Sequence, residues 1–113
     1  MLVEQPRRRF SADEVLRMVE TGILGEDEPV ELLDGELVTV TPQGPMHRAL
    51  AVVVHDLLRA AFGEGVHVQD HSPIAAEPYS LPEPDVAVIR GAARDFLERH
   101  ASGADVVLAV EIS

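Results

Sequence analysis

Two carboxylates in this chain sit at the ends of apolar runs. Asp85 heads Val86-Ala87-Val88-Ile89, behind Leu81-Pro82-Glu83-Pro84, and Glu111 follows Val106-Val107-Leu108-Ala109-Val110, with Ile112-Ser113 after it. A carboxylate at the end of a hydrophobic run is costly to desolvate unless it is paired or binds a cation. Two such strands side by side would bring Asp85 and Glu111 together, and paired oxygen ligands of that kind suit a hard divalent ion. A metal-dependent phosphodiesterase is built in this way.

Other side chains gather around that pair as candidates. Glu31 opens an apolar run and would approach from another strand; an exposed edge carboxylate reads equally well. His47 lies where a long helix would begin and would face phosphate or water, although a solvated first-turn histidine is the plainer reading. Gln69 sits on a short strand as a polar neighbour to the site or as a surface residue. Glu83 is a supporting or solvent residue. Asp85 itself has the plainer reading of a turn residue, and Glu111 that of an inward charge guarding an edge strand.

Several chemistries are excluded or unsupported. There is no cysteine, which removes disulfides, thiolate catalysis and cysteine zinc sites. Neither a phosphate-cradling glycine loop nor Gly-x-Ser-x-Gly occurs, and the five histidines give only a weak zinc reading. All nine basic residues are arginines, and the formal charge is −11, which argues against broad nonspecific nucleic-acid binding. Only Arg7-Arg8-Arg9 clusters, as an arm that would touch a phosphate backbone or simply stay solvated. No apolar run reaches membrane-spanning length and no signal peptide is evident at Met1-Leu2-Val3-Glu4-Gln5, so a cytoplasmic protein without membrane attachment is expected.

The elements that must position these residues follow from local signals. Ser11 and Glu14 form a capping box, with Phe10 and Val15 as a hydrophobic staple, ahead of a short helix from Ala12 to Glu20 that Gly22 ends. Glu31-Leu32-Leu33 and Glu36-Leu37-Val38-Thr39-Val40 flank Asp34-Gly35, a hairpin with a tight two-residue turn. From Met46 to Phe62, Leu50, Val53, Val54, Leu57, Leu58 and Ala61 recur at helical spacing, with His47, Arg48, His55, Asp56 and Arg59 outside the stripe; this predicts a long helix laid across a sheet. Val66 to Gln69 with Pro73-Ile74-Ala75 predicts a modest strand, Pro84 to Ile89 a stronger one, Arg94 to His100 a short exposed helix, and the segment from about Asp105 a last strand. The layout is α+β, a mixed sheet with a long covering helix, and 113 residues suit a single domain, 1–113.

The last strand is the most hydrophobic one and nothing polar follows to cover it, so a domain truncated after the Glu111 strand is expected. Pairing with a second copy, as a homodimer, is the other use for such a strand.

The succession Arg9-Phe10-Ser11, Val30-Glu31-Leu32-Leu33-Asp34-Gly35-Glu36-Leu37, Gly44-Pro45-Met46-His47, Val68-Gln69, Pro82-Glu83-Pro84-Asp85-Val86-Ala87-Val88 and Val110-Glu111-Ile112 resembles the Uma family of putative restriction endonucleases, in the PD-(D/E)XK nuclease superfamily. The resemblance runs over nearly the whole chain and implies a restriction-endonuclease-like fold acting on DNA. It makes Asp85 the aspartate of the Pro-Asp motif and Glu111 the second acidic residue. Both would ligate Mg²⁺ or Mn²⁺, with the Ile112 carbonyl as a further oxygen. Ser113 departs from the pattern, which has lysine there, and the chain contains no lysine. The family's lysine lies further on, in a helix after the last strand, in keeping with a truncated chain. The resemblance thus implies a metal-dependent endonuclease. A non-catalytic interaction or dimerisation module on a degenerate nuclease fold is the alternative, favoured by the missing lysine and the acidic charge.

Overall fold

A computed structural model of the chain describes residues 5–113. Its first unit is α1 (Ala12–Glu20) packed on a hairpin of β1 (Val30–Leu33) and β2 (Glu36–Thr39). The capping box is present in full: the Glu14 N–H donates to Ser11 Oγ at 3.1 Å and the Ser11 N–H donates to Glu14 Oε1 at 2.9 Å. These bonds satisfy donors that a helix start would otherwise leave free. Phe10 and Val15 lie in the same apolar cluster, as the staple requires, together with Ala12, Leu32 and Leu81.

The hairpin register runs from Val30 opposite Thr39 to Leu33 opposite Glu36. Asp34 and Gly35 both have positive φ, 48° and 85°, which is the tight turn expected of this pair. Gly35 has a second reason to be glycine, since a Cβ there would lie 2.7 Å from Arg9 Cβ.

The second unit carries the long helix. α2 (Pro45–Phe62) lies on a three-stranded antiparallel sheet in the order β3-β5-β7, formed by Val66–Asp70, Val86–Arg90 and Val106–Val110. Two short strands, β4 (Ile74–Ala75) and β6 (Ala101–Ser102), pair in parallel beside it. The expected α+β layout of a long helix over a sheet is therefore present. Both strand directions occur, but they are divided among three small sheets.

β5 is the dry centre. Val86, Ala87, Val88 and Ile89 are all buried, because the strand has neighbours on both edges and is covered on both faces. Ala87 and Ile89 pack with Ile74, Ala101, Phe96 and Val106. Val86 and Val88 alternate to the other face, beneath α2. A register shift at Val88/Ile89, opposite the stretch from Val106 to Leu108, bends β7 against this centre.

Three sequence expectations need correction. The segment Val66–Ala75 is not one strand. His71 takes a left-handed conformation, φ 44°, and Pro73 follows, so the chain turns out of β3 before β4 pairs elsewhere. The helix expected from Arg94 to His100 is a single 3-10 turn, Ala93–Phe96, in which Asp95 Oδ2 accepts the Ala92 N–H at 2.9 Å and Phe96 is drawn onto the His67 ring. The apolar stripe of α2 is also offset from its inward face. Inward positions are Ala51, Val54 and Leu58 with His47 and His55, while Leu50, Val53 and Leu57 are exposed, Leu57 at 65%. The helix is rotated because two of its polar residues have partners below: His55 Nδ1 meets Asp70 Oδ1 at 2.8 Å and His47 reaches Asp85.

Candidate functional site

The two units meet at the loop from Leu81 to Asp85. The Leu81 N–H donates to the Leu32 carbonyl at 2.8 Å, which pins the loop to the hairpin, and the Ile74 N–H donates to the Pro82 carbonyl at 2.9 Å, which pins it to the sheet unit. Asp85 stands where this loop enters β5. It is 3% exposed, so its charge has to be satisfied by protein groups or by an ion.

Donors converge on it from three directions. Gln43 Nε2 donates to Oδ1 at 2.9 Å from the loop before α2. His47 Nε2, in the first turn of α2, lies 2.9 Å from the same oxygen. The Ile112 N–H donates to Oδ2 at 2.7 Å from beyond β7. His71 Nδ1 is 3.5 Å from Oδ1, and the His71 N–H donates to the Asp85 carbonyl at 3.3 Å. Burial alone would push the Asp85 carboxyl up. The Ile112, His47 and Gln43 donors outweigh it and hold the group below the ordinary aspartate value, hence ionised at neutral pH.

Two further carboxylates face this charge. Glu111 is pushed up first by burial, then by the negative charges of Asp85 and Glu31 and by its hydrogen-bonding approach to Asp85, with His47 opposing. Glu31 is likewise pushed up by burial, with the Glu83 backbone N–H pulling the other way, Asp85 adding to the rise and His71 opposing it. Glu83 is raised by burial and then by Glu31. Glu111 and Glu31 thus repel each other and the fixed Asp85 anion, an arrangement that a cation relieves.

The structure therefore brings Asp85, Glu111, Glu31 and His47 together. Ile112 joins them through its backbone N–H. Gln69 makes no hydrogen bond to them: its side chain is half-buried, with its Nε2 unpartnered. Sequence reading missed Gln43 and His71. Gln43 had a signal in its place just ahead of Gly44-Pro45, the start of α2; His71 had none, since its role depends on a left-handed turn that a histidine-serine-proline run does not announce.

His47, His71 and Asp85 present ligand atoms within 4.8 Å of one another, a group able to hold a metal ion. A dry central strand, a helix start and two further strand ends deliver carboxylates and imidazoles to one point of an α+β domain. The chain belongs to the Uma2 family, whose description is "Putative restriction endonuclease"; the family model matches residues 12–113. No curated protein matches it.

Proposed function

We propose that residues 1–113 act as one restriction-endonuclease-like domain of a divalent-metal-dependent endonuclease that hydrolyses DNA phosphodiester bonds. The observation that carries this reading is the buried, ionised Asp85 facing Glu111 and Glu31, both of which resist ionisation. The donor set fits Mg²⁺ or Mn²⁺, which take carboxylate oxygens, with Asp85 and Glu111 as ligands and the Ile112 carbonyl as the oxygen that the family pattern adds. When bound, such an ion neutralises charge on the phosphate and makes hydroxide available near neutral pH.

The chain's own residues hold the site in shape. Gln43 and the Ile112 N–H fix the plane of the Asp85 carboxylate, so its free lone pairs keep one direction. His47 sits at the opening of α2 and orients Asp85 from the side. Glu31 adds negative charge next to Glu111, which strengthens the pull on a cation. No lysine is present to hold or deprotonate water. A cytoplasmic location goes with this reading; no helix among the described residues is long and apolar enough to cross a membrane.

Nicking of supercoiled plasmid in Mn²⁺, compared with EDTA, tests it. The parent should convert supercoiled to open-circular DNA, with Asp85→Ala and Glu111→Ala inactive. Equal conversion by the Asp85→Ala protein would sink the assignment.

A second reading, a non-catalytic module pairing with a second copy, draws on one observation. The flank of α2 bearing Leu50, Val53 and Leu57 is exposed, as are Val107 and Leu108 of β7, whose outer edge has no strand partner among the described residues. Sedimentation equilibrium checks this. A dimer that dissociates in Leu50→Glu and is indifferent to metal would favour it.

A further inference from the structure

The carboxylates are only half of what surrounds Asp85. His47 approaches from α2 and His71 from the turn after β3, their ring centroids 6.2 Å apart, and each has a nitrogen directed to the same oxygen of Asp85. The ligand atoms of the three residues fall within 4.8 Å of one another. Ligands about 2.1 Å from a single first-row ion lie about 3–4 Å apart, so a small contraction brings all three into one coordination shell. His71 reaches this place through a positive φ, a conformation that few side chains take without a reason.

Mg²⁺ and Ca²⁺ gain little from imidazole, whereas later first-row ions gain a great deal. We propose that His47 and His71 are themselves ligands, with Asp85, of a mixed nitrogen and oxygen site that prefers Co²⁺, Ni²⁺ or Zn²⁺ to Mg²⁺ and Ca²⁺. This rests on the reading of Asp85 as a metal ligand and adds the class of ion. The plainer account is that His47 only donates a hydrogen bond to Asp85 and His71 merely lies near it.

The test is calorimetric titration of Mg²⁺, Ca²⁺, Co²⁺ and Zn²⁺ into the full chain, its His47→Gln, His71→Asn and Glu111→Gln variants, with proton NMR of the Co²⁺ form. Gln keeps a donor to Asp85, and Asn tolerates the left-handed backbone at position 71, so both variants should fold, as circular dichroism will show. The parent should bind Co²⁺ at least about tenfold more tightly than Mg²⁺, with strongly shifted imidazole N–H resonances from two histidines. His71→Asn should lose about tenfold in Co²⁺ affinity and leave Mg²⁺ within about twofold. Mg²⁺ and Co²⁺ binding equally, or either histidine variant losing both ions alike, overturns the inference while sparing the Asp85–Glu111 reading. Co²⁺ binding that needs both histidines and ignores Glu111→Gln upholds it and removes Glu111 from the site. An absence of binding for every ion overturns both.

Discussion

Replacing Asp85 by asparagine tests how the buried charge is held. The side chain keeps its shape, but one oxygen that now accepts becomes an amide that can only donate. Oδ1 receives Gln43 and His47 at 2.9 Å and Oδ2 receives the Ile112 N–H at 2.7 Å, so either orientation of the amide sets a donor against a donor. One charge-assisted bond lost is about 1.5–3 kcal/mol, and a buried donor left without a partner is about 1–3 kcal/mol. Relief of repulsion with Glu111 and Glu31 returns a part, leaving a loss of about 3 kcal/mol. For a domain of this size that is a fall of about 12 °C in Tm. The assay is thermal unfolding by circular dichroism at neutral pH in EDTA, where no cation contributes. Glu111→Gln is the control, because burial and the charges of Asp85 and Glu31 disfavour its ionised form, so that its Tm in EDTA should be unchanged or slightly raised. An Asp85→Asn protein melting within about 4 °C of the parent, a difference of about 1 kcal/mol, would refute the claim that these donors hold the charge.

Ile89→Ala removes a fully buried side chain from the centre of the sheet and should cost about 2–5 kcal/mol in urea unfolding. Leu57→Glu, on the exposed flank of α2, should change stability by no more than about 0.5 kcal/mol in the same measurement. Acid unfolding should weaken the protein as pH falls from about 4 towards 2. Glu14 is held down to about 2 by Arg8 and the Ser11 N–H, and Asp105 to about 2 by the Ser102 N–H and Arg99. A depressed carboxylate stabilises the fold above its unfolded value and loses that contribution as pH drops through the folded one. Carboxyl NMR titration of Arg99→Ala should move Asp105 upward and leave Glu14 in place.

The fold was legible where the determinants are local. Ser11, Glu14, Phe10 and Val15 specify the start of α1 within six positions, and Asp34-Gly35 specifies a turn within two. The rotation of α2 was illegible for a physical reason. Leu50, Val53 and Leu57 make the stronger apolar pattern, yet His47 and His55 have carboxylate partners, buried Asp85 and exposed Asp70, which come from the start of β5 and the end of β3, far away in sequence. Hydrophobic period alone assigns the histidines to solvent. Phe96 broke the expected late helix similarly, drawn in by His67, a residue from another strand. At the site, Asp85 and Glu111 were readable because a charge at the end of an apolar run is conspicuous by itself. His71 was not, since nothing in its neighbours predicts a positive φ.

The placement of the site at the joint between two apolar clusters couples its electrostatics to the fold. Glu31 belongs to the hairpin unit, Asp85 and Glu111 to the sheet unit, and the Leu81–Asp85 loop is hydrogen-bonded to both. Repulsion between Glu31 and the other two carboxylates therefore pushes the units apart, against the Leu32–Leu81 contact that holds them. A cation bound among them removes that repulsion and draws carboxylates from both units to one point. Ligand at about a hundred times its Kd adds about 2.7 kcal/mol to the folded state, so a metal-dependent rise in Tm is expected for the parent. The size of that rise should fall in Glu31→Gln even if Glu31 never touches the ion, because the charge it contributes is part of what the cation offsets.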